Sequence, residues 1–273
     1  MSRILGTSIT KSRAPSKPPS RRLWDASAGF ITFASRTLGE LLRPPWDSEE
    51  IGHQLHEIGW RSTPLILVTG IVVGIVLAEL IGTSLVNFGV VDSVIPAELS
   101  RMMFREMGPL LTGILISGRV GAAIGAELAV LRHTEQIDAL ESLAIDAFRY
   151  LVITRVVACI IALPILATVM NFAEIAGGYL WVAAKSEMSF QLYADRVFDK
   201  VGWGNYILPT LMTAVFGFVV GTVASYFGYT VDENAAGVRR AAMYSVVLSC
   251  LLVIASSFIL NQLIPFWFSG GYR

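Results

Sequence analysis

Residues 64–88 read PLILVTGIVVGIVLAELIGTSLVNF, an apolar run whose one charged residue is Glu79. A helix needs about 20 apolar residues to cross the hydrocarbon core of a bilayer, so this run is long enough to span. Comparable runs occupy residues 96–131, 147–184, 203–227 and 238–268. The sequence therefore predicts an all-α, polytopic membrane protein with about five transmembrane helices.

The composition of the whole chain supports the same class. Of 273 residues, 54% are hydrophobic and 15% are charged, whereas soluble domains carry about 25% charged residues. The net charge is zero, so the chain lacks the basic footprint of a nucleic-acid-binding protein. No lysine stands in the Gly-Lys-Ser/Thr setting of a phosphate-binding loop, so the chain is not expected to bind ATP by that route.

The segment before the first span divides into two parts. Residues 1–22 are basic and rich in Ser and Pro; we interpret them as a disordered cytosolic tail, with an organelle-targeting remnant as the alternative. Residues 23–43 mix aromatic and aliphatic side chains with Asp25, Arg36 and Glu40, a pattern typical of a helix that lies in the membrane interface. Residues 23–268 are expected to form a single membrane domain.

The distribution of basic residues predicts the orientation. With the N-terminus in the cytosol, fourteen Lys and Arg residues fall in inner segments and six in outer segments. Cytosolic loops carry the excess of such residues in membrane proteins. Five spans then place the C-terminus outside, on the periplasmic side in a bacterium.

Small residues recur every four positions in three of the predicted spans. The stripes are Gly70, Gly74, Ala78 and Gly82; Gly113, Ser117, Gly121, Gly125 and Ala129; and Gly217, Gly221 and Ser225. Such stripes let helix backbones approach closely. We interpret most of this as packing within the chain and expect part of it to serve an oligomer interface. In the third run, Pro164 and the pair Gly177-Gly178 predict a kink followed by an interfacial elbow.

Charged residues at membrane depth need partners or water, because burying them in lipid costs at least about 2.5–3.5 kcal/mol each. Glu98, Arg101 and Arg105 are spaced to form a ladder of ion pairs on one helix face, while Glu106 points elsewhere. A polar cavity near the outer leaflet would hold them; the alternative is that they snorkel to the interface. Further along the same helix, Arg119 and Glu127 are expected to form a structural ion pair or to contact another span.

The polar segment at 133–143 predicts a short helix between the second and third spans. Ile137, Leu140 and Ala144 would lie on one side, and Glu135, Asp138 and Glu141 on the other. Asp146 is placed to cap the next helix. An acidic amphipathic helix on the cytosolic side suits a docking element, and an ordinary solvated loop is the alternative.

Four motifs between Arg105 and Arg155 make the sequence recognisable. They are REMGPL at 105–110, GRVGAAIGAEL at 118–128, TEQIDALE at 134–141 and RYLV at 149–152. This run resembles the permease family of the Mla and Mce lipid transporters. The resemblance is densest over these fifty residues and extends more weakly from about Gly70 to about Val247.

The resemblance implies a function that spacing alone does not show. In that family, a five-span permease forms a homodimer or pseudo-homodimer above two cytosolic ABC ATPases and below a periplasmic ring of MCE-domain proteins. Phospholipid is held in a cavity between the two permeases, and the partner ATPases bind ATP and Mg. The expected location is the bacterial inner membrane, with the chloroplast inner envelope as the alternative. No cofactor, metal ion or catalytic residue of its own is expected for this chain.

The resemblance also assigns residues. The segment at 134–141 matches the family's coupling helix, and Arg105 and Glu106 match its Arg-Glu pair near the lipid, with Glu106 expected to hold Arg105 when the site is empty. The candidate lipid-binding residues are Leu77, Glu79, Arg101, Arg105 and Glu106. The candidate ATPase-coupling residues are His133, Thr134, Glu135, Gln136, Asp138 and Glu141.

The sequence departs from the family pattern at three places. Ala147 stands where a proline is common, and Glu79 lies beside the position of a frequent glutamine. Residues 232–238 replace a glycine-rich loop. The change at Glu79 leaves the lipid preference of the cavity open.

Three other functions fit the sequence less well. An intramembrane lipid-modifying enzyme would need a nucleophile and a base, but the three histidines lie outside the spans and no Gly-x-Ser-x-Gly elbow is present. His53 and His56 have no third metal ligand nearby. A secondary transporter would show two related halves, and the sequence has no such repeat. A pure scaffold is disfavoured by the intramembrane charges.

Overall fold

The computed structural model describes residues 19–43, 47–85, 96, 99–185, 188–199, 203–231 and 235–268. These residues form helices and no strand, which confirms the predicted all-α fold class. Five of the helices are long and apolar enough to cross a membrane: Ser48–Thr83, Leu99–His133, Arg149–Lys185, Tyr206–Tyr229 and Ala236–Gln262. The chain is thus a multi-pass membrane protein.

Two amphipathic helices precede the apolar part of the first span. Helix α1 runs over Pro19–Leu41, so residues 19–22, predicted as part of the tail, form its first turn; proline is favoured at the first helical position. Residues 1–18 lie outside the described residues. Helix α2 is Ser48–Gly59, and Asp47 caps it by accepting hydrogen bonds from the Glu49 and Glu50 amides. A 3₁₀ turn at Trp60–Ser62 then leads into α3, Thr63–Leu85.

The second and third spans are interrupted by wide π-helical turns. Helix α4, Leu99–His133, contains two of them, at Met103–Met107 and Ser117–Gly121. Helix α5, Gln136–Ser142, is short and leads into α6, Arg149–Lys185, whose first turn at Arg149–Ile153 is again π-helical. Each π-turn contains an arginine. Such turns occur frequently at functional sites.

Helix α6 is the centre of the bundle and packs against α2, α3 and α8. It continues unbroken past Pro164 and the Gly177-Gly178 pair to Lys185, so the predicted interfacial elbow is wrong. The two glycines serve close packing instead. A Cβ at Gly177 would overlap the backbone of Ile71 in α3, and one at Gly178 would crowd Leu99 and Tyr193.

The three small-residue stripes all face other helices of the same chain. A Cβ at Gly74 would overlap the Glu174 backbone in α6, one at Gly217 would overlap the Cys159 backbone, and one at Gly125 would crowd Ser245. The stripes of the first, second and fourth spans are therefore occupied by packing within the chain. They leave no stripe free for the oligomer interface that the sequence suggested.

Three further helices complete the part of the chain that the structure describes. Helix α7, Phe190–Asp199, is amphipathic and buries Tyr193, whose hydroxyl donates to the Ile175 carbonyl at 3.4 Å. Burial raises the pKa of Tyr193, so its hydroxyl stays a neutral donor. Helices α8, Trp203–Tyr229, and α9, Ala235–Phe268, pack against each other and against α4.

Successive spans run in opposite directions, so the helix termini collect at two ends of the bundle. Helix α4 ends and α6 begins at the end that carries α5. Helices α1 and α2 lie at the same end, because they precede the span that leads to the far end. The far end carries the C-terminus of α3, the N-terminus of α4 and helix α7. Phe33 of α1 contacts Phe148, Tyr226 and Tyr229, which holds α1 on the α5 end.

Candidate functional site

Helix α5 is fixed between two long helices by tight turns. Glu135, just before it, and Ala144, just after it, both adopt left-handed backbone conformations, with φ of 57° and 60°. The Ala139 amide donates to the Glu135 carbonyl at 3.0 Å, which starts the helix. Together these turns place the seven-residue α5 between the end of α4 and the start of α6.

The two faces of α5 differ in environment. Ile137 is fully buried and Leu140 packs against the same core cluster. Ala144 is exposed rather than on this inner side, because the helix ends at Ser142 and Ala144 forms the following turn; its predicted placement is wrong. The candidate coupling residues all lie on the exposed surface: His133, Thr134, Glu135, Gln136, Asp138 and Glu141.

Side-chain contacts connect α5 to its neighbours. Arg132, in the last turn of α4, forms an ion pair with Asp138 at 3.3 Å. The Tyr229 hydroxyl, at the end of α8, donates to Glu141 at 3.4 Å. Helix α5 is therefore held by two spans besides its covalent links, and motion of α5 has a direct route into the bundle.

The start of α6 is capped as the sequence predicted. Asp146 accepts hydrogen bonds from the Phe148 and Arg149 amides at 3.1 and 3.2 Å. Arg149 also forms an ion pair with Glu40 of α1 at 3.5 Å. Helix α1 thus contacts the element that follows α5.

At the far end, Glu79 is exposed and accepts a hydrogen bond from the Trp181 indole at 2.6 Å. The Trp181 ring lies over Gly82, where any Cβ would overlap it. Leu77 points inward and packs in a buried cluster with Leu99 and Met103. Leu77 therefore supports this region from the core, whereas Glu79 presents a carboxylate at the surface.

The π-turn at Met103–Met107 presents the Arg-Glu pair. Met103 and Phe104 are buried in the cluster that holds Leu77, whereas Arg105 and Glu106 are exposed. Neither of the two charged residues has a hydrogen bond or ion pair within the described part of the chain. The expectation that Glu106 holds Arg105 in an ion pair is therefore wrong for the single chain.

Arg101 is also exposed and lies one turn before Arg105. Glu98, the third member of the predicted ladder, lies outside the described residues. Arg101, Arg105 and Glu106 thus occupy the first two turns of α4, at the same end of the bundle as Glu79. The structure brings these candidate lipid-binding residues to one end and the candidate coupling residues to the other.

Arg119 and Glu127 each contact another helix, as expected, and do not pair with each other. An Arg119 guanidinium N–H donates to the Ser62 hydroxyl, just before α3. Glu127 forms an ion pair with Arg155 of α6 at 2.6 Å, and Arg155 is almost completely buried. The Arg155 partner was not foreseen from the sequence, because residues 28 positions apart meet only through the packing of α4 against α6.

Two polar residues of the third span were missed by the sequence analysis. Asn171 and Glu174 are fully buried in α6, and their side-chain oxygens and the Asn171 amide nitrogen have no hydrogen-bond partner in the described residues. Asn171 lies against Gly108, where a Cβ would overlap its side chain. The signal was present in the sequence, since both residues interrupt an apolar run.

The described residues contain no group of three or more His, Cys, Asp and Glu arranged to hold a metal ion. Instead, the molecule has five spanning helices with exposed charged groups at both ends of one of them. Charged residues within spanning segments are costly in lipid, so they are the candidates for a functional role.

Comparison with known proteins identifies the family. Residues 51–263 match the family described as Permease MlaE, and the chain belongs to this family. A Rickettsia felis protein named "Probable ABC transporter permease protein" is 35% identical over 86% of this chain and 90% of its own length. The Haemophilus influenzae "Intermembrane phospholipid transport system permease protein MlaE" is 30% identical, with the same two coverages.

A plant relative covers nearly the whole chain. The Arabidopsis thaliana protein "TRIGALACTOSYLDIACYLGLYCEROL 1, chloroplastic" is 26% identical over 99% of this chain and 79% of its own length. The resemblance seen in the sequence motifs is confirmed by these matches.

Proposed function

We propose that this chain is the membrane subunit of an ATP-driven phospholipid transporter. Its partners would be cytosolic ABC ATPases, a periplasmic MCE-domain protein and a second copy of the permease. The family match supports this proposal, as do the relatives named as ABC transporter and phospholipid transport permeases. The chain would be non-catalytic, with ATP and Mg bound by the partner ATPase.

One observation carries the proposal: helix α4 joins the two candidate sites. Arg105 and Glu106 lie near its start, and α5 follows its end at His133. The 28 residues between Arg105 and His133 extend about 42 Å at 1.5 Å per residue. A displacement of α5 by an ATPase would therefore reach the lipid-binding end through one continuous helix.

The far end has chemistry suited to a phospholipid headgroup. Arg105 offers a planar guanidinium that can donate two parallel hydrogen bonds to a phosphate. It has no partner in the described residues, so binding a phosphate breaks no existing ion pair. Glu106 and Glu79 add acceptors for the cationic or hydroxyl part of a headgroup.

A second copy would complete the cavity. Helix α9 is the least buried of the five spans and exposes a wide apolar surface that includes Tyr244, Val247 and Leu251. Two such surfaces facing each other would enclose a chamber lined by apolar side chains. Acyl chains would fit that chamber, with the headgroup beside Arg105.

The α5 end is proposed to face the cytosol. The basic residues Arg36 and Arg43 of the N-terminal segment and the pair Arg239-Arg240 lie on this side, which agrees with the positive-inside rule. The exposed acids of α5 would then face the ATPase. We place this chain in the bacterial inner membrane, where cytosolic ABC ATPases could reach α5.

Lipid retention by purified protein tests the proposal. Arg105→Ala and Glu106→Ala are each compared with Lys185→Ala, which removes an exposed charge at the same end. Loss of a charge-assisted hydrogen bond costs about 1.5–3 kcal/mol, so Arg105→Ala is expected to lower co-purified phospholipid at least about tenfold. The Lys185→Ala variant should retain the wild-type amount.

The assembly state of each variant is the necessary second measurement. The proposal expects that Arg105→Ala and Glu106→Ala keep the wild-type dimer and the bound ATPase. If a variant loses its assembly while the surviving fraction still holds lipid, these two residues have a structural role and the proposed site is wrong.

A further inference from the structure

A polar cavity lies at the α5 end, between α2 and the second half of α4. It has a volume of about 420 Å³, and its charged or titratable lining residues are His53, Glu57, Arg61, Arg119 and Glu127. None of the candidate lipid-binding or coupling residues lines it. The volume falls in the range of about 300–1,000 Å³ found for small-molecule sites.

Two arginines and two glutamates line this cavity, and their pairing leaves Arg119 without a carboxylate partner among the described residues. Arg61 forms an ion pair with Glu57 at 2.6 Å, and Glu127 forms one with Arg155 at 2.6 Å. Within the described residues, Arg119 has a hydrogen bond to Ser62 and no carboxylate partner. Because Glu127 is paired with Arg155, which does not line the cavity, the lining cation that contacts no carboxylate is Arg119. A half-buried guanidinium in a membrane-spanning helix is stabilised by an anion.

The position of Ser62 gives the depth of Arg119 in the membrane. Ser62 immediately precedes α3, whose 23 residues are almost entirely apolar, and it follows the polar helix α2. The Arg119 guanidinium, bound to Ser62, therefore lies where polar chain gives way to apolar chain. In a bilayer this level corresponds to the lipid headgroups at the edge of the hydrocarbon core.

The hydrogen bonds around Ser62 orient the guanidinium. The Ser62 hydroxyl donates to the Ile58 carbonyl at 2.5 Å, so its oxygen is turned to accept from Arg119. Of the five N–H groups of an arginine, this contact uses one. The others remain for an oxyanion, and a guanidinium binds phosphate through two parallel hydrogen bonds. Ile58 and Ile124 supply apolar wall beside the charge.

We propose that this cavity binds the phosphate group of a membrane phospholipid from the leaflet at the α5 end, with Arg119 as the anion-binding residue. The site is separate from the one at Arg105, since 14 residues of α4 between them span about 21 Å. The proposal does not depend on transport or on a partner ATPase. It assigns a lipid contact to the leaflet opposite the candidate transport site.

Photo-crosslinking tests the site directly. A photo-reactive amino acid replaces Ala123, which is exposed and lines the cavity, and the full chain is reconstituted into phosphatidylcholine vesicles that contain phosphorus-radiolabelled phosphatidylglycerol. After illumination, label attached to the protein is counted. Arg119→Gln should reduce the label about tenfold, which corresponds to about 1.4 kcal/mol. Arg240→Gln, which removes an exposed cation at the same end, should leave it unchanged.

A second variant and a competing anion distinguish the possible causes of a loss of label. Arg119→Lys retains the charge but not the planar fork, so it should also lower the label, and it serves if Arg119→Gln does not fold. Wild-type labelling in both Arg119 variants would overturn the proposal. An equal loss in Arg240→Gln would assign the effect to general surface charge and overturn it. Loss of label on addition of inorganic phosphate would make free phosphate the ligand and overturn the lipid assignment.

Discussion

Gly177 lies where α6 crosses α3, and a Cβ there would overlap the carbonyl of Ile71. Gly118 lies in the second π-turn of α4, and within the described residues no atom of another element lies within 4 Å of the position its Cβ would occupy. Both are glycines inside spanning helices, so they share the intrinsic helix preference of the residue. They differ only in what surrounds them.

This contrast predicts opposite effects of the same substitution. Gly177→Ala should destabilise the protein by at least about 1–3 kcal/mol, because overpacking forces two backbones apart. Gly118→Ala should be neutral or stabilise by up to about 1 kcal/mol, because alanine is the better helix former. Thermal unfolding of the purified protein in detergent measures both. A neutral Gly177→Ala would contradict the close packing of α3 and α6.

Single residues also show the limits of reading a site from sequence. Arg105 and Glu106 stand out because charge is costly at membrane depth, and the structure leaves both exposed. The Trp181 contact to Glu79 joins residues 102 positions apart, so it depends on how α3 and α6 pack. The π-turn at Met103–Met107, which carries Arg105 and Glu106, has no clear sequence signal.

At the scale of elements, α5 has the features of a helix that could transmit motion from a partner protein to the spanning helices. It is seven residues long, buried on one side through Ile137, and held to α4 and α8 through Asp138 and Glu141. Its acidic side chains face outward. A partner that pushes on this surface would move the ends of two spanning helices together.

The double substitution Glu135→Lys with Glu141→Lys is expected to break this link. Reversing two charges on the exposed side should release the ATPase or uncouple ATP hydrolysis from lipid transport, while the bundle stays folded because Ile137 is untouched. Glu49→Lys, an exposed acid on α2 at the same end, is the matched control. ATPase co-purification and coupled hydrolysis measure the effect. Normal binding and normal coupling in the double variant would show that α5 is not the docking element.

Elements of the fold were predictable to the extent that hydrophobicity defines them. The five spans were found because each exceeds the length of a bilayer crossing, and the acidic helix at α5 because its charges alternate with Ile137 and Leu140. The elbow after Gly177-Gly178 was wrong, since glycine pairs signal either a bend or a close contact and only the facing helix decides. The placement of Ala144 was wrong because its left-handed backbone ends the pattern two residues after the helix does.

At the scale of the whole molecule, the chain has two chemically different ends. The α5 end carries α1, α2 and the acidic surface of α5, and the far end carries the Arg105-Glu106 turn and α7. The small-residue stripes are used within the chain, so the second copy that we propose would associate through other surfaces such as the apolar face of α9. This division agrees with the proposed subunit, which would bind the ATPase at one end and phospholipid at the other.

The orientation of these ends is directly testable. We expect the N-terminus in the cytosol and the C-terminus outside, because fourteen basic residues fall on one side and six on the other. A reporter that is active only in the periplasm should be active when fused after Arg273. An inactive fusion there, together with an active one near Asp138, would reverse the orientation.

ATP-dependent phospholipid transfer by the reconstituted assembly tests the central claim most directly. The permease, its ATPase and its MCE-domain partner are placed in vesicles, and labelled phospholipid movement is measured together with ATP hydrolysis. The account predicts that Arg105→Ala lowers transfer about tenfold, as expected for loss of one charge-assisted contact of about 1.4 kcal/mol or more, while the ATPase stays bound and Lys185→Ala transfers normally. Transfer by Arg105→Ala at the wild-type rate would contradict it.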